Sequence, residues 1–194
     1  MPMLVGFLGG PCTGKTTLAQ SVSCELADKG INTEWATEFV SEDIQRIGPP
    51  VGDYFIYEQF HFAFYQTRKE EEAMKRAEIV VTDAPLLLGY SYPLLEKDIA
   101  VCGRQQTFIQ DLEGLFVEDA KRYDKLYLLR RESEYEDNNI RFHTYEQAVE
   151  FDKLLRNKLD SLGVEYIELG GSVMERTWQV MEDLGYGYLL KQAV

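Results

Sequence analysis

The chain has 194 residues, 45% hydrophobic and 27% charged, the make-up of a globular protein large enough for one good core. Its 33 acidic residues outnumber 20 basic ones, and a net charge of −13 argues against a broad electrostatic grip on a long polyanion. Small substrates are favoured, although a local basic cleft is compatible because net charge is silent about distribution, and no apolar stretch reaches the length of a membrane span.

The predicted elements alternate strand and helix, which implies a parallel sheet covered by helices. An apolar run over residues 3–8 predicts the first strand, and a helix over 15–29 follows, closed by Gly30. Residues 31–36 read as a second strand and 38–47 as a short helix broken by Gly48-Pro49-Pro50. A long helix is predicted over 53–77, with Glu71–Lys75 and Glu72–Arg76 as supporting charge pairs. Residues 77–83 form the clearest strand, short and β-branched. After an ambiguous stretch at 86–98 come a helix over 104–122, a strand over 125–129 and a polar loop over 130–143. A helix over 144–162, a fifth strand over 164–169 and a helix over 172–184 complete the pattern. The expected fold is α/β: a five-stranded parallel sheet flanked by helices, in one domain spanning 1–194 with a short lid at about 130–143.

Between the first strand and first helix lies Gly9-Gly10-Pro11-Cys12-Thr13-Gly14-Lys15-Thr16, a complete G-x-x-x-x-G-K-T loop. The strand–loop–helix context makes the match a physical statement: glycines let backbone N–H groups wrap a phosphate at a helix N-terminus. Gly10, Pro11, Cys12, Thr13, Gly14, Lys15, Thr16 and Thr17 are therefore the expected ATP site. Lys15 reaches the β/γ-phosphates and the Thr16 hydroxyl ligates Mg²⁺. Cys12 reads as a small tolerated residue rather than a redox switch.

Asp83 closes the third strand, where a carboxylate reaches Mg²⁺ beside the loop; the alternative is a helix cap. Ala84 and Pro85 follow it, with no second acid to activate water, which favours transfer over hydrolysis. Glu38 follows the second strand on the same sheet edge, placed to take the proton of an acceptor hydroxyl or else to favour a helix dipole. The helix at 54–68 is dense in aromatics, among them Phe60, Phe62, Phe64 and Tyr65, which suits core packing more than base stacking. Gln59 and Gln66 lie seven apart on one face and could read a nucleobase or stay solvated, and Arg68 could hold an anion or snorkel. Arg130, Arg131 and Arg141 could close a lid over ATP, with Arg131 and Arg141 foremost. Neighbouring Glu132, Glu134, Glu136 and Asp137 offer them ordinary ion pairs. Three cysteines without C-x-x-C spacing suggest neither a disulfide framework nor a zinc site, and a reducing cytoplasm suits them. The N-terminal apolar segment runs straight into the phosphate loop and does not read as a signal peptide.

With these residues in view the chain resembles small P-loop proteins common in bacteriophages, usually labelled AAA-domain ATPases or nucleotide kinases. Relatives of that family include the kinase domain of bacterial nicotinamide riboside kinases. The resemblance rests on Gly9 to Thr17, Thr37-Glu38-Phe39-Val40, Glu58-Gln59 with Gln66, and Val81-Thr82-Asp83-Ala84-Pro85-Leu86-Leu87-Leu88. A weaker match runs from Asn139-Ile140-Arg141 through Thr144-Tyr145-Glu146-Gln147-Ala148 to Asp152, where Ile140 stands in place of the family's frequent glycine. Some phage members look like kinases of 5-hydroxymethyluracil within DNA, so the resemblance implies an acceptor hydroxyl on, or attached to, a nucleoside.

The expectation is an ATP- and Mg²⁺-dependent kinase. Lys15, Glu38, Asp83 and Arg141 form its catalytic set, Thr16 and Asp83 hold the metal, and Glu38, Gln59, Gln66 and Arg68 face the acceptor. The rival expectation is an ATPase or nucleotide switch that regulates a partner protein and has no phosphoryl acceptor.

Overall fold

The computed structural model describes residues 1–40, 42, 46, 55–86, 88, 103–132 and 144–190. In chain order the described elements are β1 (Met3–Leu8), α1 (Lys15–Asp28), β2 (Thr33–Ala36), α2 (Phe55–Met74), β3 (Ile79–Thr82) and α3 (Gly103–Ala120). There follow β4 (Lys125–Leu129), α4 (Tyr145–Ser161), β5 (Ile167–Leu169), α5 (Val173–Asp183) and α6 (Gly187–Leu190).

The five strands form one parallel sheet in the order β2-β3-β1-β4-β5. Burial follows that order. Every residue of β3 is buried, as are Leu4 to Leu8 of β1, whereas Ile167 and Glu168 of edge strand β5 are exposed. On one face Leu18, Val22 and Leu26 of α1 and Val180 and Met181 of α5 pack on Val5, Phe7, Val81 and Tyr127. On the other, Phe116 of α3 and Phe151, Leu155 and Leu159 of α4 cover Leu8, Leu126 and Leu128, while Ala73 of α2 meets Leu4 and Val80. Burial of this kind contributes about 25 cal/mol per Å² of apolar surface and dominates the stability of such a sheet.

Capping fixes where two helices begin. Thr144 accepts from the Gln147 N–H while the Gln147 side chain accepts from the Thr144 N–H, and Ser172 and Glu175 repeat this box on α5. At the end of α2 the pairing differs from expectation. Lys75 pairs with Glu72, and Arg76 reaches across to Glu34 on β2, tying helix end to edge strand. The four-residue α6 was not foreseen; half of the short helix expected at 38–47 lies outside the described residues, and Phe39, Val40, Glu42 and Arg46 within it are helical. No described helix is long and apolar enough to cross a membrane.

Because all pairings are parallel, the C-terminal ends of the strands share one edge. The loop after β1, Asp83 after β3, Glu38 beyond β2 and Arg131 after β4 therefore converge there.

Candidate active site

The loop between β1 and α1 curls because Cys12 (φ 65°) and Gly14 (φ 89°) both take the left-handed conformation. Successive residues of alternating hand turn N–H groups inward and make an anion-binding concavity. The buried Thr13 hydroxyl donates to the Gly10 carbonyl at 3.0 Å and closes the turn from within. Lys15 Nζ lies across the mouth and donates to the carbonyls of Gly9 and Gly10 at 2.8 and 3.0 Å. Desolvation pushes its ammonium below the ordinary value, against the opposing pull of Glu38, Asp83, Asp152 and Cys12. Glu38 and Asp83 lie beyond β2 and β3 at the same sheet edge as Lys15. Pro11 is half-buried in the loop, and Thr17 is exposed on the first turn of α1.

Asp83 is buried and held twice. Its Oδ2 accepts from the Thr16 hydroxyl at 2.6 Å and its Oδ1 from the Trp35 indole N–H at 3.2 Å. A hydroxyl and a carboxylate side by side form an oxygen donor set suited to Mg²⁺, which takes one or two protein oxygens and fills its shell with water and phosphate. Among the described residues no group of three or more His, Cys, Asp or Glu could enclose a metal by itself. Thr16 and Asp83 thus fit a metal brought with a triphosphate. The bond from Trp35 had no counterpart in the sequence reading, since an indole in an edge strand carries no motif.

Two arginines outside the loop brace it. Asp152 of α4 accepts from the Gly10 N–H through Oδ1 at 2.8 Å and from Arg131 Nε through Oδ2 at 2.8 Å. Arg131 is 8% exposed, also reaches the Ala148 carbonyl, and leaves Nη1 buried without a partner. It therefore stands against the loop, paired with Asp152. Arg130 does pair locally, with Glu132 at 3.2 Å. Buried Arg176 of α5 donates to the Thr13 carbonyl at 2.8 Å and the Arg130 carbonyl at 2.9 Å. Neither Asp152 as a loop ligand nor Arg176 was singled out from sequence, because both lie on helices remote in the chain. A cavity of about 310 Å³ opens beside Arg131 and Asp152, walled by Tyr145, Lys153 and Arg156.

On the opposite flank, Phe39 stacks on Tyr65 of α2 with ring centres 4.8 Å apart, and His61 joins them 4.6 Å from Tyr65. Of this aromatic wall, Phe39 directly follows Glu38 in the chain, while His61 and Tyr65 come from α2. Gln66 does not join it. The side chain is 4% exposed, its Oε1 accepts from the Phe39 N–H at 2.8 Å, and its Nε2 donates to Thr82 Oγ1 and Glu70 Oε1 at 3.2 and 3.4 Å. The solvated alternative fails for Gln66, which stands behind the site with its amide engaged inside the protein. Arg68 is exposed on α2. Arg141 and the side chain of Gln59 lie outside the described residues, as does all of the expected lid from 133 to 143.

A family model described as AAA domain matches residues 4–176. No curated protein matches the chain in sequence. Among solved structures, NadR protein in complex with NR superposes with a TM-score of 0.73 at 19% identity, covering 95% of this chain and 52% of that one. The chain thus spans about half the length of the NadR structure it matches. Thymidylate kinase from Ehrlichia chaffeensis gives a TM-score of 0.64 at 14% identity over 94% and 98% of the two chains. Deoxyadenosine kinase from M. mycoides with bound dATP gives 0.60 at 17% over 94% and 99%. At these identities the likeness establishes a kinase-like P-loop fold.

Proposed function

From the premise that the chain belongs to the AAA domain family, we propose that it is an ATP-dependent kinase whose acceptor is a hydroxyl of a nucleoside-type molecule. The observation that carries the reading is the meeting of Lys15, Asp83 and Glu38 at one sheet edge, with Thr16 bonded to Asp83. The loop amides and Lys15 hold the triphosphate. Thr16 and Asp83 hold Mg²⁺, which when bound neutralises phosphate charge. The acceptor oxygen attacks the γ-phosphorus, the bond from that phosphorus to the β,γ-bridging oxygen breaks, and ADP leaves. Glu38 receives the proton of the acceptor hydroxyl. The wall of Phe39, His61 and Tyr65 offers a π-face to a base beside Glu38, with Gln59 and Arg68 on the same helix. Arg131, packed on the loop with an unpartnered N–H, and Arg141 beyond it serve the moving phosphoryl group.

We take the 194 residues as one catalytic unit, with residues 130–143 as its lid, acting in the cytoplasm. Asp83 is followed by Ala84 and Pro85, so the position after the metal carboxylate holds no acid for water activation. This favours transfer over a hydrolytic switch.

Transfer of radiolabelled γ-phosphate to free nucleosides, to nucleotides and to DNA containing 5-hydroxymethyluracil tests the reading. Label is expected on one of these classes. Label on none, with ATP hydrolysis indifferent to every acceptor, overturns it.

A further inference from the structure

Glu38 is gripped from both sides by one turn of α2. Lys69 Nζ donates to the Thr37 carbonyl at 2.8 Å and to the Thr37 hydroxyl at 2.5 Å, on the N-terminal side of Glu38. Gln66 accepts from the Phe39 N–H at 2.8 Å on the C-terminal side. Residues 66 and 69 are three apart and so neighbours on one helix face. Each grip is anchored a second time. Lys69 also reaches Glu42 at 2.7 Å, and Gln66 also donates to Thr82 Oγ1, on the residue before Asp83. Behind Gln66 stands Glu70, which is fully buried and accepts from Gln66 and from the Tyr123 hydroxyl at 3.1 Å, with Arg122 and Asp119 beside it.

A surface lysine given three oxygens of the chain around one glutamate, and a buried amide tied to the next N–H, do more than close a loop. We propose that Gln66 and Lys69 are positioning residues that hold the Glu38 backbone at a set place relative to Lys15 and Asp83. This rests on the reading of Glu38 as the carboxylate that meets the acceptor. The thread from Phe39 through Gln66 to Thr82 has a consequence for the whole site. Gln66 thus links the backbone beside Glu38 to the Thr82 side chain, next to Asp83 in the chain. Near-attack geometry tolerates little error, and a shift of about 1 Å costs on the order of 100-fold in rate.

The test is Lys69→Met and Gln66→Met, each alone and each combined with Glu38→Gln. Each single variant is expected to lower kcat by roughly 10- to 100-fold while ATP affinity stays within about twofold. Neither is expected to lower the residual kcat of Glu38→Gln further, because the clamp acts through Glu38. Lys69→Arg keeps a donor and is expected to recover most of the rate. Equal fold losses with and without Glu38 overturn the proposal, as does an unchanged kcat in the single variants. Should Gln66→Met fail to fold, Lys69→Met carries the test, since that side chain is 30% exposed. If the wild-type chain phosphorylates no acceptor, the kinase reading fails, and the clamp is judged by amide exchange at Phe39. Faster exchange in Lys69→Met supports it; unchanged exchange overturns it.

Discussion

The two flanks of the sheet edge are built from different materials. On the flank proposed for the phosphate donor the exposed surface is backbone: N–H groups of a loop whose shape is set by left-handed residues and by side chains that reach its backbone from distant elements. On the flank proposed for the acceptor it is side chains, with Glu38 and an aromatic wall held by one face of α2. A backbone cradle recognises a phosphate whatever the phosphate is attached to, so it needs one design for every triphosphate. An acceptor surface made of side chains is free to change with the acceptor. The donor flank should therefore fail by losing ATP, and the acceptor flank by losing turnover.

The largest expected effects separate those failures. Lys15→Met removes the ammonium that reaches across to the Gly9 and Gly10 carbonyls, and transfer should fall by at least about 100-fold, with ATP binding weakened in a nucleotide titration. Glu38→Gln should cost roughly 100- to 10,000-fold in transfer, with ATP affinity near that of the wild type. If Glu38→Gln instead abolishes ATP binding, the division into flanks breaks, and Glu38 belongs to the donor architecture through its charge on Lys15.

A smaller pair of effects asks how tightly each flank is packed. A Cβ at Gly10 would lie 2.3 Å from Asp152 Oδ1 and 3.1 Å from Phe151 Cδ1, so Gly10→Ala must displace the carboxylate that also orients Arg131. The expected loss is about 1–3 kcal/mol of stability by thermal melt, together with weaker ATP binding. Tyr65→Ala, on a side of the wall that is 38% exposed, forfeits a stacking contact of about 0.5–1.5 kcal/mol and should leave ATP binding alone. Comparable losses of ATP affinity in both variants would erase the contrast.

What was legible in the sequence follows the same division. The loop, the strand ending at Asp83 and the alternation of elements could be read because each is local: Gly9 to Thr16 carries its chemistry in eight consecutive positions, and 79–82 is β-branched throughout. The capping boxes at Thr144 and Ser172 are local as well, and the helix starts predicted at 144 and 172 lie within a residue of those observed. The braces were not legible. Asp152 meets Gly10 across 142 positions and Arg176 meets Thr13 across 163, and no spacing rule spans such distances. Gln66 was legible as a residue of interest but not in its orientation. Helical phase alone could not tell an amide facing an acceptor from one turned inward to Phe39 and Thr82. The Arg76–Glu34 pair was missed for a similar reason, since the i,i+4 rule sees only partners on the same helix.

The smallest effect expected concerns the support beneath the acceptor flank. Burial, reinforced by the nearby Asp119 carboxylate, pushes the Glu70 carboxyl up to about 8 from an ordinary 4.5, while Arg122 and bonds from Tyr123 and Gln66 pull the other way. Asp119 is raised too, again chiefly by burial. A carboxyl raised in the folded state binds its proton more tightly there than in the unfolded chain. Its contribution to stability is therefore fully present below about 4.5 and is lost as pH rises through about 8. Glu70→Gln keeps an oxygen for the Tyr123 hydroxyl and the Gln66 amide and cannot ionise, leaving Arg122 to Asp119 alone. Melting followed between pH 5 and pH 9 should show the two proteins close together at the acid end. The variant should then lead by a few degrees at the alkaline end. A wild-type melting temperature that holds level with the variant across the whole range would mean that the cluster beneath Gln66 carries its charge at no cost. The acceptor flank would then rest on a support as insensitive to pH as the backbone loop opposite it.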